Sequence, residues 1–423
     1  MVLIENRSHL VFRGFEIRNL TMINDGSGIR ILGAGENLEI SHHRIYNMLG
    51  ADAMGITVYG TEPQPIANLR IHHNWIYDCE PARSEALTLN GNIDGFEVDD
   101  NLVMDVNNIG IDFIGGETDI NPDPTLVARN GVCRGNTVIR ARSNYGGGYG
   151  AGIYVDGGSS IILERNEVTQ CDLGIEIGAE NAGTTTENVI VRNNWIHRND
   201  KAGLVFGGFD ATVGRAQNCG FFNNTLFEND TLGEGLGQLW IQYASQNRVE
   251  NNIFVGLADA DLTYSELGNT NNSLNYNFWY APGTPGWAWQ SQAYSSFVAF
   301  QAGSGQDAQG LFGNPQLLNP SAGDGHLQPT SPAINQGNPS AVPGEVGTVD
   351  FDGQVRQSGR IDIGMDEVIT TSECLADLLP QWQATLMICG ATHLNVPELV
   401  ALVNGTCACP RIKTTTHCGP AVK

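Results

Sequence analysis

Positive charge is scarce in this chain. Of 423 residues only three are lysine (Lys201, Lys413 and Lys423), and Lys and Arg together number 22 against 46 Asp and Glu, a net charge of −24. A surface this acidic cannot neutralise phosphates, which excludes nucleic acid as a partner, and an anionic membrane surface is excluded for the same reason. Long apolar runs are also missing, so no segment is expected to span a bilayer. The first residues, Met-Val-Leu-Ile-Glu-Asn, lack the basic and apolar regions of a signal peptide, yet Leu3 to Ile17 already reads as strand and turn. The natural N-terminus is therefore expected upstream. Glycine, by contrast, is abundant at 52 residues, which points to many turns and few long helices.

A repeat of about thirty residues fills the first two thirds of the chain. An asparagine introduces each copy, at Asn74, Asn101, Asn136, Asn166, Asn194, Asn224, Asn252 and Asn277. A second strand follows in each copy: Gly28-Ile-Arg-Ile31, Gly55-Ile-Thr-Val58, Ala86-Leu-Thr-Leu89, Gly110-Ile-Asp-Phe113, Gly152-Ile-Tyr-Val155, Gly174-Ile-Glu-Ile177 and Gly203-Leu-Val-Phe206, with Leu239-Trp-Ile241 completing the series. Alternation with a period of two puts the branched and aromatic residues inside and the middle residue outside. Short strands bury an apolar face only by stacking copy on copy, and an asparagine repeated at one turn suggests a ladder of side-chain amides. This pattern resembles the right-handed parallel β-helix of pectate lyases and related carbohydrate-active proteins. The resemblance implies an all-β solenoid of about ten coils over residues 1–280.

From Ala281 the pattern breaks. Residues 281–312, with Trp287 and Trp289, read as an irregular cap over the open end of the rod. Residues 313–368 contain Ser331-Pro-Ala-Ile-Asn335, Asp350-Phe-Asp-Gly353 and Gly359-Arg-Ile-Asp-Ile-Gly364. They resemble the anchor-associated module that often follows β-helices in bacterial surface and secreted proteins, and are expected to pack on the β-helix end. Residues 369–423 hold five of the nine cysteines (Cys374, Cys389, Cys407, Cys409 and Cys418) with two short amphipathic helices. They read as a small, partly helical, disulfide-stapled attachment segment in an oxidising compartment. A zinc site at Cys407, Cys409, His417 and Cys418 has an uncommon spacing. The expected location is therefore extracellular or cell-surface.

In a solenoid, outward residues of successive coils form columns. One runs Arg30, Thr57, Thr88, Asp112, Tyr154, Glu176, Val205 and Trp240; its neighbour runs Leu32, Tyr59, Asn90, Ile114, Asp156, Gly178, Gly207 and Gln242. Together they make a flat strip of aromatic, amide, hydroxyl and carboxylate groups suited to a polysaccharide. Loops beside it contribute Glu85, Glu117, Arg129, Arg142, Tyr145, Tyr149, Glu180 and Lys201, and the stretches Glu117–Arg134 and Ser143–Tyr149 are positioned to wall it. The expected substrate contacts are Thr57, Tyr59, Thr88, Asn90, Arg129, Tyr145, Tyr149, Trp240 and Gln242.

Asp156 and Glu176 fall on adjacent coils, offset by two residues, which puts their Cα atoms roughly 8 Å apart. Asp112 joins them one coil earlier. Carboxyl groups at such spacing serve glycoside hydrolysis as acid and nucleophile or acid and base. Gly152-Ile-Tyr-Val-Asp156 and Asp172-Leu-Gly-Ile-Glu176 are similar in placement to the paired acids of β-helix glycoside hydrolases, including a β-xylosidase family. The resemblance implies Asp156 as nucleophile and Glu176 as acid/base, with no cofactor, although Gly stands here where that family carries flanking Trp and His. The pectate-lyase resemblance implies a competing chemistry, lyase or uronate epimerase, in which a base removes a C5 proton while Ca²⁺ neutralises the sugar carboxylate. Asp112, Glu117 and Glu180, with Asp156, offer oxygen ligands for Ca²⁺. Lys201, Arg129, Arg142 or Tyr154 would be the base, although Val205 occupies the slot where some pectate lyases carry lysine. A third reading is a non-catalytic glycan-binding rod. The pairs His42-His43 and His72-His73, far round the coil from the strip, read first as stacked surface or turn residues and second as metal ligands.

Overall fold

In the computed structural model, which describes residues 1–356 and 360–368, the chain winds into a right-handed solenoid of three parallel sheets. One sheet stacks strands such as Ile66–His72, Ile93–Asp99, Ala128–Arg134 and Ser159–Glu164. A second stacks Trp75–Cys79, Leu102–Val106, Thr137–Ala141 and Glu167–Thr169. The third stacks Glu85–Gly91, Ile109–Ile114, Ala151–Asp156, Leu173–Gly178, Ala202–Phe206 and Leu239–Ile241. In the first coils the second and third sheets run together through two 17-residue strands, Glu16–Leu32 and Arg44–Gly60.

The corner before each second-sheet strand explains the repeated asparagine. The residue ahead of it adopts left-handed backbone in coil after coil: His73, Asp100, Gly135, Arg165, Asn193, Asn223, Asn251 and Tyr276 all have positive φ. The asparagine then turns inward and bonds to the coils on either side. In Asn136, for example, the backbone N–H and the Nδ2 both donate to Asn166 Oδ1 at 3.0 Å, and Nδ2 also donates to Val98 O at 2.9 Å. The same pattern runs from Asn74 to Asn277 and ends on Asp307, whose buried carboxylate accepts from Asn277 N. Inside the ladder the aliphatic columns are fully buried (Ile56, Leu87, Ile111, Ile153, Ile175 and Leu204 among them), and stacked rings fill the wider coils, with Phe254 and Trp279 at 4.2 Å. Cys79, Cys133, Cys171 and Cys219 are free, buried thiols that pack with them; burial pushes Cys79, Cys171 and Cys219 up to about 12, so they stay protonated and unreactive.

Two expectations for the tail need correction. Residues 281–312 are not irregular. Gly286–Trp289 continues the third sheet beside Asp261–Ser265, forms a hairpin with Gln292–Tyr294, and is followed by the helix Phe297–Ser304, which is capped by Ser296. Trp287, Phe297 and Phe300 close the core there, so the aromatic run serves capping. The segment from 313 to 367 does not sit on the end of the rod. It lies along the flank of the coils near residues 192–253, where the corner residues Asn193, Asn223 and Asn251 bond to its backbone. Arg248 pairs there with Glu345, and Phe222 packs on Val346 and Ile361. The corner asparagines supply this module with amide partners that repeat at the coil spacing. The Cys-rich tail, its helices and the zinc reading lie outside the described residues. Among the described residues no helix is long and apolar enough to cross a membrane, and no disulfide is present.

Candidate active site

The outward columns align residue by residue. Thr57 pairs with Thr88, Thr88 with Asp112, Asp112 with Tyr154, Tyr154 with Glu176, Glu176 with Val205, and Val205 with Trp240. In the neighbouring column Tyr59 pairs with Asn90, Asn90 with Ile114, and Asp156 with Gly178. Three successive coils thus bring Asp112, Asp156 and Glu176 to one face, with Tyr154 directly between the first and the last.

That face is not a flat, exposed strip. Thr57, Thr88, Asp112, Tyr154 and Asp156 are all 5% exposed or less, and Glu176 is half-buried. Connecting segments rise around it and make a cleft. The insertion after Ile114 folds back, with Asn121 Nδ2 donating to Gly60 O at 2.8 Å and Glu117 accepting from Asn90 Nδ2 at 2.7 Å. This wall ends near Val127, since Ala128–Arg134 is a strand of the first sheet. The opposite wall, Ser143–Gly150, is pinned by Asp172, whose carboxylate accepts from Ser143 N at 2.7 Å and Gly150 N at 2.9 Å. Tyr145 on this wall accepts from Asn108 Nδ2 at 3.2 Å. Gly178 keeps the floor open: a Cβ there would stand 2.7 Å from Gly207 O and 3.1 Å from the Tyr154 hydroxyl.

Six carboxyls share this cleft: Glu85, Asp112, Glu117, Asp156, Glu176 and Glu180. Burial, then the charges of Glu85, Asp156 and Glu180, hold Asp112 well above the usual carboxylate range. Asp156 is raised by burial and by Glu180, although the Glu180 N–H donates to its Oδ1 at 2.7 Å and favours the ionised form. Glu176 is raised by burial, Glu180 and Asp156, with no donor offsetting them. Burial and Glu117 push Glu85 up to about 8. Tyr154 is likewise raised by burial and by the acids around it. Burial and like charges thus favour the protonated forms of these acids.

A carboxyl whose folded pKa lies above its unfolded value stabilises the fold fully below the unfolded pKa, and that contribution is lost as pH rises through the folded one. Glu85 at about 8 and the buried Asp307 at about 7 set the window. The Tm is expected to fall from about pH 4, where these carboxyls ionise in the unfolded chain, to about pH 9, and Glu85→Gln should flatten the upper part of that fall in thermal melts across pH.

Other residues of the strip are placed differently from expectation. Lys201 donates to both oxygens of Glu234 at 2.7 Å and lies 4.3 Å from the Tyr149 ring centre, so it faces this pair and not the acid cluster. Arg129 lies on the neighbouring sheet, paired with Asp94 at 3.1 Å and bonded to Asn92. Arg142 pairs with Asp200 at 3.0 Å. Tyr149 and Trp240 stand 6.4 Å apart at the end of the cleft beyond Val205, and Trp240 Nε1 donates to Glu266. Asn90 Oδ1 and Gln242 Oε1 are buried acceptors without partners. Tyr59 is half-buried beneath the Arg30 guanidinium, 5.6 Å away.

The carboxylates expected to hold Ca²⁺ do not form a compact ligand set. Among the described residues, three-ligand groups with their atoms within 4.8 Å of one another occur at His72, His73 and Asp99 and at His326, Asp352 and Asp366, and Asp112, Glu117 and Glu180 are not among them. Glu234 and the anchoring role of Asp172 escaped the sequence reading, because neither belongs to an outward column.

The family described as right-handed β-helix region matches residues 132–299. The Bacillus subtilis protein YwoF is 32% identical over 352 residues, 79% of this chain and 74% of its own length. Among solved structures, the A-module of the Azotobacter vinelandii mannuronan C-5 epimerase AlgE4 aligns at 12% identity and TM-score 0.39, over 74% of this chain and 78% of that one. The tailspike protein of E. coli bacteriophage HK620, in complex with a pentasaccharide, aligns at 11% identity and TM-score 0.44, over 68% and 56%. With its stacked coils, its amide ladder and a relative that shares most of its length, this chain belongs to the right-handed β-helix family.

Proposed function

We propose that the protein is an extracellular carbohydrate-active enzyme that cleaves glycosidic bonds by hydrolysis, with Glu176 as the general acid and Asp156 as the nucleophile or base. The observation that carries this reading is a cleft holding six carboxyls, while the cations expected beside it, Lys201, Arg129 and Arg142, are each committed to a partner outside the cluster. Hydrolysis needs one carboxyl that keeps its proton and one that ionises, on either side of the bond to be broken. Glu176 has no donor to favour its anion, whereas Asp156 has the Glu180 N–H. Asp112 supports the pair by repulsion, and Tyr154 lies in register between Asp112 and Glu176.

Elimination fits less well. A lyase or epimerase needs a basic group at the sugar C5 and a cation for the uronate carboxylate, and Tyr154, itself driven toward its neutral form, is the one proposed base inside the cluster. The acidic cleft would also repel a polyuronate. The test is product analysis on a panel of neutral and uronic polysaccharides. New reducing ends without an unsaturated product support hydrolysis; an unsaturated product, lost on chelation, supports elimination; binding without any product leaves a glycan-binding rod. Tyr149 and Trp240 are placed to stack on a sugar beyond the acids, so Trp240→Ala is expected to raise KM several-fold with a smaller change in kcat, read from initial rates.

A further inference from the structure

The two adjacent histidines of one corner meet an aspartate from the next coil. In a regular strand, neighbouring side chains point to opposite faces. At this corner His73 takes left-handed backbone, φ 56°, which swings its ring back toward His72, and the two Nδ1 atoms stand 2.9 Å apart. Asp99 pairs with His72 in register across the first sheet, and one ligand atom from each of the three lies within 4.8 Å of the others. His72 is 8% exposed and Asp99 6%, while the His73 side chain is half exposed.

The partners of this cluster are incomplete. Asp99 Oδ1 is buried without a hydrogen bond, and His72 Nε2 meets only Glu39, at the long distance of 3.3 Å. Arg70 approaches Asp99 Oδ2 no closer than 3.7 Å and sits nearer Glu97, at 3.2 Å. His43, one coil earlier, shows what a structural histidine looks like here: its Nδ1 accepts from Phe15 N at 3.1 Å and its Nε2 donates to Phe12 O at 2.9 Å. The surroundings of His72 and His73 are acidic, with Glu39 3.3 Å from His72 Nε2 and Asp100 3.8 Å from His73 Nε2, while the His42 ring stacks on His73 at 4.9 Å.

We propose that His72, His73 and Asp99 form a site for a zinc-type divalent ion on the flank of the solenoid, away from the acid cleft. A tetrahedral ion with Zn–N bonds of about 2.0–2.1 Å puts two nitrogen ligands roughly 3.3 Å apart. The observed Nδ1 separation reaches that by opening a few tenths of an ångström. Two imidazoles and one carboxylate suit Zn²⁺, Co²⁺ or Ni²⁺, not the all-oxygen shell that Ca²⁺ prefers. A fourth position is left on the solvent side, beside the exposed edge of His73. Glu39 and Asp100 supply the outer carboxylates that orient ligating imidazoles. Such an ion ties one coil to the next where the rod is still short of its later flank module.

The other three-ligand group differs. Both nitrogens of His326 already bond carboxylates, Asp324 and Asp352, each at 2.6 Å. The experiment is titration of Co²⁺ alone, then Zn²⁺ alone, into the chelator-stripped full chain, followed by calorimetry and by the ligand-field absorbance of Co²⁺. Wild type should bind one more equivalent than His73→Ala and than Asp99→Asn. Each variant should lose at least about tenfold in affinity, the lower limit that even an outer-shell partner costs. Zn²⁺ should raise the Tm of wild type and not of His73→Ala. His73 is half exposed and Asn matches Asp in shape, so both variants keep the fold testable. Equal uptake by wild type and His73→Ala, or no uptake by wild type, overturns the site, and neither result bears on the chemistry of the cleft.

Discussion

Glu176→Gln and Asp156→Asn should each lower kcat on a cleaved polysaccharide by roughly two to four orders of magnitude, the usual contribution of a positioned acid or base. Both substitutions keep size and hydrogen-bonding shape while removing the titration, so circular dichroism and the melting curve should stay close to wild type. Removing a charge from a mutually repelling set should even raise the Tm slightly at alkaline pH, since both groups are held above the carboxylate range by burial and their neighbours. The two variants should separate on a substrate with a good leaving group. Such a substrate needs no proton from Glu176, so Glu176→Gln should recover much of its rate, whereas Asp156→Asn should not. The pH profile should be a bell displaced above that of free carboxylates, because the limb set by Asp156 and the limb set by Glu176 both move upward. Wild-type rates in both variants would remove the hydrolytic assignment and leave the cleft as a binding surface.

The columns that carry this prediction were readable because two periodicities reinforce each other. Strand alternation decides that Ile153 and Val155 face in and Tyr154 faces out. The coil length then decides which outward residue lies beside it, and the Ile111–Ile153–Ile175 stack confirms the register. The depth of the cleft was not readable by the same means. It depends on where irregular insertions fold back, and contacts such as Asn121 to Gly60, 61 residues apart, follow no period. The pairing of Lys201 with Glu234 was hidden for the same reason: Glu234 lies in a loop of glycines and turns with no strand to place it. The histidine pair had a visible motif but an unreadable geometry, because the reversal at His73 comes from the left-handed corner and the motif alone does not reveal it. The flank position of residues 313–367 likewise depends on corner asparagines that look interchangeable in sequence.

Asn166→Ala should be the most destabilising single change in the solenoid outside its hydrophobic columns. Its Oδ1 accepts from both the backbone N–H and the Nδ2 of Asn136, and its own Nδ2 donates to Cys133 O and to Asn194 Oδ1, all at 3.0 Å. Truncation leaves the Asn136 N–H and the Cys133 carbonyl buried and unpaired, and no water can replace the amide without room in a core where both neighbouring asparagines are 1% exposed or less. Each orphaned group costs about 1–3 kcal/mol, so the loss should be roughly 3–5 kcal/mol in chemical denaturation. Asn166→Asp should fare better at low pH than at neutral pH. A protonated carboxyl can still donate once to the next rung, whereas a buried carboxylate there cannot, and Asp307 shows the cost, its pKa lifted to about 7 by burial at the last rung. The ladder tolerates that acid at its end because Trp279 Nε1 and the Asn277 N–H both donate to it, and no mid-ladder rung has an indole in that position.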